Sequence, residues 1–340
     1  MGMRYENVCI EALRYELPSQ SLQTSAIEGA LSGLYSRMGI RPGWLEAVTG
    51  VKARRVWAAG EDPATAAANA AQEALDLAGI ARAQVDVLVS TSVYKSQLEP
   101  SVACHVHGRL GLRDSCLNFD VGNACLGFLS GMGVVANMIE LGQARVGIVV
   151  AGESSREVTE NTLARLGQPN ADMSTYKDNL ATLTLGSAAV AMVLVHRDLS
   201  TAQHRFLGGV QRAASRHRDL CYGGLQGMTT DPTRLLAEGV RLAKRTFDDF
   251  RSDRGLQADK VSRYALHQVG RANHEAVIKA LQLPRERALA IYPEIGNVGA
   301  AAVPLALAKT LDQGLVARGD TLAMMGIGSG LNVAMMSVEW

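Results

Sequence analysis

The chain has 340 residues, 47% hydrophobic and 20% charged, the composition of an ordinary globular protein. With 34 basic against 33 acidic residues and a net charge of +1, neither nucleic acid nor an anionic membrane is indicated as a main partner. Five cysteines without paired spacing argue for a reducing compartment. No apolar stretch reaches spanning length without charges or glycine clusters, and Arg4, Glu6, Glu11, Arg14 and Glu16 leave no signal-peptide core, so a cytoplasmic protein without a membrane span is expected. Glu6 also occupies the position where a myristoylation start needs Ser or Thr.

The length exceeds what one hydrophobic core serves, and two units are expected, over 1–200 and 201–340. In chain order, the pattern predicts a helix over 63–78 opened by Pro63 and a strand over 85–91. A helix over 100–110 opened by Pro100, a helix over 125–141, a strand over 145–151 and an edge run over 188–196 follow. The order then repeats: helix 233–250, strand 262–267, helices 272–281 and 300–313, strand 321–326, edge run 331–338. The strands are apolar on successive residues, as when both faces are buried. A repeated supersecondary order of this kind predicts an α/β fold made of two duplicated halves. Helices 125–141 and 300–313 are rich in Gly and Ala, suited to close packing between two sheets. The polar stretch 153–180, with Pro169-Asn170, reads as a lid or a dimer-surface insertion.

Cys125 sits where an apolar run meets a helix. There the helix macrodipole favours thiolate, and free backbone N–H groups can hold an oxyanion. This is the setting of a nucleophile that forms a covalent intermediate, although a buried inert cysteine is the commoner state of the residue type. His267 ends a strand, where α/β folds build their sites, but taken alone it serves equally as a structural histidine. Asn297 lies between glycines just before helix 300–313, and an N-cap or turn role is the plainer reading. The turn Gly326-Ile-Gly-Ser-Gly-Leu-Asn332 is a weak signal by itself; beside a nucleophile, the Ser329 N–H could be a second oxyanion donor with that of Cys125. Cys104, His105, His107 and Cys116 fit no standard zinc spacing, and no metal is expected. Arg54-Arg55 and Lys244-Arg245 read as solvated surface charge rather than phosphate ligands.

Asn123-Ala-Cys125-Leu-Gly-Phe128, His267-Gln268, Gly296-Asn297 with Ala301-Ala-Val-Pro304, and Gly328-Ser-Gly330 occur in the order of the thiolase superfamily, and resemble its ketoacyl synthase III branch along essentially the whole chain. The resemblance implies a five-layered αβαβα fold, a homodimer and a triad of Cys125, His267 and Asn297. It also implies coenzyme A thioesters as substrates, with no cofactor. In decarboxylating synthases the loop after the strand at 85–91 carries an apolar residue across the dimer interface into the neighbouring pocket; here that residue is Glu99. This is similar to the group that condenses two long-chain acyl-CoA molecules head to head in olefin formation, as are the flanks Leu98-Glu-Pro-Ser101 and the terminal Trp340.

A malonyl donor forms its carbanion by losing carbon dioxide. A plain acyl-CoA must instead give up a weakly acidic C–H to a positioned base, the role that Glu99 then takes. The implied reaction is a non-decarboxylating Claisen condensation to a 2-alkyl-3-ketoacyl product. It would open long-chain olefin or β-lactone formation, with later enzymes of that route as partners. The alternatives are a decarboxylating synthase III using a malonyl-carrier protein, and a non-condensing subunit of a multienzyme assembly. Trp44 aligns with a tryptophan that stacks on the CoA adenine in the synthase III enzymes, whereas Val48 replaces an expected arginine. Gly270-Arg-Ala-Asn273 departs from the usual carrier-protein docking sequence.

Overall fold

The computed structural model describes residues 2–224, 226–254 and 260–340, the side chain of Arg254 excepted. The main strands are β1 (Val8–Glu16), β2 (Val87–Ser90), β3 (Leu117–Asp120), β4 (Val146–Glu153), β5 (Ala188–His196), β6 (His204–Ala213), β7 (Val261–Leu266), β8 (Thr321–Gly328) and β9 (Asn332–Glu339). The helices that pack on them are α1 (Pro63–Ala78), α2 (Val102–Leu110), α3 (Gly127–Glu140), α4 (Arg156–Leu166), α5 (Pro232–Arg254), α6 (Arg271–Leu281) and α7 (Ala302–Asp312).

The strands run in the order β7-β8-β9-β6-β1-β5-β4-β2-β3, with the short strand Met3–Arg4 added to β6. Two halves meet at β1 and β6, which share only the Cys9–Arg205 and Ile10–His204 register. Each half repeats one pattern from this junction outward: two antiparallel pairings, then a parallel one. The runs at 188–196 and 331–338 are therefore interior strands and not edges, because β1 covers β5 and β6 covers β9. Neither covering strand is evident from the apolar pattern. In β1, Glu11, Arg14 and Glu16 interrupt it; the Glu11 carboxylate is buried by accepting from Ser200 Oγ (2.6 Å), Thr201 N–H (3.0 Å) and Ala202 N–H (3.1 Å).

Strand alternation sorts the buried residues into layers. Val87 and Val89 face a central core with α3 and α7, whereas Leu88 faces an outer core with α1 and α2. In the second half Met324 and Met336 join the central core, while Met325 and Met335 face α5 and α6. The result is five layers: α1/α2, first sheet half, α3/α7, second sheet half, α5/α6. This is the thiolase-type αβαβα arrangement.

The polar stretch 153–180 is not a loose lid. Leu166 of α4 and Tyr176 join Ile27, Leu31, Leu34, Tyr35 and Leu45 in a fourth core, with the Tyr35 and Tyr176 hydroxyls 2.7 Å apart. Among the described residues, no helix is long and apolar enough to cross a membrane.

Candidate active site

The chain leaves β3 at Asp120 and turns sharply through Ala124–Leu126 before α3 begins at Gly127. Ala124 has φ 44, a left-handed conformation that a side chain adopts only under constraint. Gly127 is what lets this turn press against the end of β2, since a Cβ there would lie 2.5 Å from the Thr91 carbonyl oxygen. Cys125 is thus held on a strained elbow at the head of a fourteen-residue helix. Asn123 steadies the elbow by donating from Nδ2 to Ser130 Oγ (2.9 Å).

His267 follows β7, with its N–H donating to Met325 O at 2.8 Å and its side chain buried. Its Nδ1 has no partner among the described residues. The neighbouring Gln268 fixes the chain that leads to Asn297: its Nε2 donates to Leu289 O (2.7 Å), and its Oε1 accepts from Ile291 N–H (2.8 Å) and Tyr292 N–H (3.2 Å). Asn297 is woven between Thr184 and Gly186 by backbone bonds of 2.9 and 2.8 Å. Its Oδ1 accepts from Gly299 N–H at 3.1 Å, so Nδ2 is the group left to donate. The turn reading and the site reading of Asn297 describe the same geometry.

These segments converge. A Cβ on Gly326 would meet Leu126 Cδ2 at 2.6 Å and His267 Cβ at 3.4 Å, so the residue after Cys125 lies directly beside His267. A Cβ on Gly127 would lie 3.5 Å from Ala300 Cβ, which sets the elbow against the Asn297 segment. The backbone N–H groups of Cys125 and Ser329 both reach the Cys125 thiol. Behind His267, an apolar pocket runs between β7, β8, α5 and α6 past Val277, Leu281, Met325 and Ile327.

Burial pushes the Cys125 thiol up to about 12, with Cys221 and Glu153 adding to the rise and the two N–H groups opposing it. Burial thus opposes the thiolate that the helix terminus favours. Burial lowers His267 to about 4, leaving a neutral imidazole. Cys221, with its thiol next to Ser329, is also pushed up by burial.

The cluster forms without Glu99, which lies exposed on the loop after β2 beside Leu98, itself 91% exposed. Trp44 packs against the Tyr176 ring at 5.7 Å, and Val48 near it is exposed. Arg54 is not surface charge: it is 1% exposed and donates to Leu183 O (2.8 Å) and Thr24 Oγ1 (3.1 Å). Among the possible metal donors, Cys104 is exposed and Cys116 is buried.

Sequence reasoning missed Glu153. It ends β4, two residues beyond the predicted strand, and is buried. Its signal is a carboxylate closing an otherwise apolar central strand.

Models of the 3-oxoacyl-[acyl-carrier-protein] synthase III family match residues 119–213, and models of its C-terminal part match residues 252–340. The chain is 38% identical over 338 residues to the acyl-CoA:acyl-CoA alkyltransferase of Xanthomonas campestris pv. campestris, covering 99% of this chain and 100% of that protein. Identity to the β-ketoacyl-[acyl-carrier-protein] synthase III of Rhodospirillum centenum is 28% over 306 residues, covering 87% and 90%. The crystal structure of a cysteine-to-serine variant of Xanthomonas campestris OleA with bound lauric acid and lauroyl-CoA superposes with a TM-score of 0.96 at 38% identity, over 99% of this chain and 100% of that one.

Proposed function

Because this chain belongs to the thiolase-fold 3-oxoacyl-[acyl-carrier-protein] synthase III family, on the branch of the acyl-CoA:acyl-CoA alkyltransferases, we propose that it is an acyltransferase that condenses two long-chain fatty acyl-CoA molecules without decarboxylation. One observation carries this reading over malonyl chemistry. A malonyl donor needs no base at its α-carbon whereas a plain acyl-CoA does, and the chain presents a carboxylate, Glu99, outward on a loop.

Cys125 Sγ attacks the carbonyl of the first acyl-CoA. Its proton passes by way of His267 to the departing CoA sulfur, leaving an acyl thioester on Cys125. The N–H groups of Cys125 and Ser329 hold the oxyanion of this step. Neutral His267 and Asn297 Nδ2 hydrogen-bond the carbonyl of the second acyl-CoA and stabilise its enolate. Glu99 removes the α-proton, the carbanion attacks the acyl-Cys125 carbonyl, and the thiolate of Cys125 leaves. The product is a 2-alkyl-3-ketoacyl-CoA; water then cleaves its thioester to give the 2-alkyl-3-keto acid and free CoA. Its ketone calls for a reductase next, on a route to olefin or β-lactone products. Trp44 is the residue assigned to contact the CoA moiety.

Glu99 serves a second copy of the chain. The β3 edge is unpaired in one protomer, and Val93 (53%), Leu98 (91%) and Leu117 (55%) are exposed around it. A two-fold dimer across this edge buries them and carries Glu99 into the partner's pocket.

The test supplies lauroyl-CoA as the sole acyl source. CoA release with a product containing two acyl chains is expected. A product that forms only when malonyl-carrier protein is added overturns the reading in favour of decarboxylating synthesis.

A further inference from the structure

Glu153 is 5% exposed, yet no basic side chain among the described residues pairs with it. A buried carboxylate without a cation is costly unless backbone donors satisfy it. Here three do, and they come from two different loops. Val93 N–H (2.9 Å) and Ala300 N–H (3.2 Å) donate to Oε1, and Tyr94 N–H (3.0 Å) donates to Oε2. Val93 and Tyr94 begin the loop that carries Glu99, while Ala300 closes the segment that carries Asn297. A Cβ on Gly299 would lie 3.2 Å from the Glu153 carboxyl, so the second loop lies flat against it. Asp120 holds both sides of the Glu99 loop independently, accepting from Lys95 Nζ (2.7 Å) near its start and from Ala103 N–H (2.9 Å) beyond its end.

We propose that Glu153 is a positioning residue that binds the Glu99 loop to the Asn297 loop through one shared carboxylate. Its effect on the reaction rests on the condensation reading above; the link between the loops does not. The Tyr94 hydroxyl donates to Glu157 Oε1 at 3.0 Å. Trp57 Nε1 fixes the Glu153 carbonyl oxygen at 2.8 Å. Burial raises the Glu153 carboxyl to about 7, against the pull of its three N–H donors, so it changes charge near neutrality.

Hydrogen exchange of the full chain needs no acyl substrate. In Glu153→Gln the amides of 93–94 and of 299–300 are expected to exchange faster together, by about tenfold. Faster exchange in one of the two segments alone, or in neither, overturns the link. Glu153→Asp, which draws the carboxylate back from both loops, should show the same paired change and keeps the test decisive if Glu153→Gln does not fold. With lauroyl-CoA, Glu153→Gln should still acylate Cys125 while condensation falls about tenfold or more. Unchanged condensation, or acylation lost in step with condensation, overturns the positioning role. A wild type that acylates but never condenses lauroyl-CoA defeats the functional reading and leaves the exchange result standing.

Discussion

Asn332 Nδ2 donates to Asn123 Oδ1 at 3.1 Å, joining the first residue of β9 to the residue two before Cys125. The bond crosses between the two halves of the fold. It sets the spacing between the Ser329 N–H and the nucleophile elbow, on which an oxyanion site depends. Asn332→Ala should reduce Cys125 acylation by lauroyl-CoA about tenfold or more, since a displaced donor loses most of its value in the transition state. Stability should fall by only about 1 kcal/mol, the usual worth of a partly buried hydrogen bond. Stopped-flow acylation and urea unfolding of the same variant separate the two effects; equal acylation rates would remove Asn332 from the site.

Glu99 is exposed in the protomer although its proposed work lies in a buried pocket. Glu99→Ala and Glu99→Gln should both keep the acyl adduct on Cys125, visible by mass, while condensation drops at least about 10²-fold. Mixing Glu99→Ala with Cys125→Ala protomers should restore activity to about a quarter of wild type, because half the dimers then hold one complete site. Failure of the mixture to regain activity after subunit exchange places Glu99 in its own protomer's site.

Cys125, His267 and Asn297 were singled out by their order in the thiolase superfamily; taken singly, inert, structural and turn readings stayed open for them. The helices were equally legible: α1 spans the predicted 63–78. β1 was hidden by Glu11, whose burial depends on donors at 200–202, almost two hundred residues away in sequence. Burial of that kind leaves no local pattern. Arg54 failed for the same reason, since its partners Thr24 and Leu183 lie far away along the chain. The protonation of Cys125 escaped because a helix terminus is visible in sequence, whereas the packing that desolvates it is not.

Gly127 sets how closely the elbow approaches β2. Gly127→Ala would place a Cβ 2.5 Å from the Thr91 carbonyl oxygen, a backbone atom that cannot swing aside. The expected cost is about 1 to 3 kcal/mol, as for overpacking elsewhere in protein cores. Because α3 has to slide to relieve the clash, acylation should fall further than stability suggests. Thermal unfolding with parallel acylation rates checks both; a variant as active as wild type would show that the close approach is not needed.

His267 gives a prediction about acid stability. An exposed imidazole in the unfolded chain has the ordinary value of 6.5, and burial lowers the folded value to about 4. Between these values the unfolded chain binds the proton and the folded one does not, so stability drops as pH falls through that window and is regained above it. At pH 4.5 the drop relative to neutral pH amounts to roughly 2 to 3 kcal/mol from this residue. Glu153 acts in the opposite sense, since its raised carboxyl favours the folded state at acid pH, but it contributes equally to wild type and to His267→Asn. Urea unfolding of the two proteins at pH 7.5 and pH 4.5 therefore isolates the imidazole. The variant should lose roughly 2 to 3 kcal/mol less than wild type over that change. Parallel losses in the two proteins would mean that the folded imidazole takes up its proton near the ordinary value.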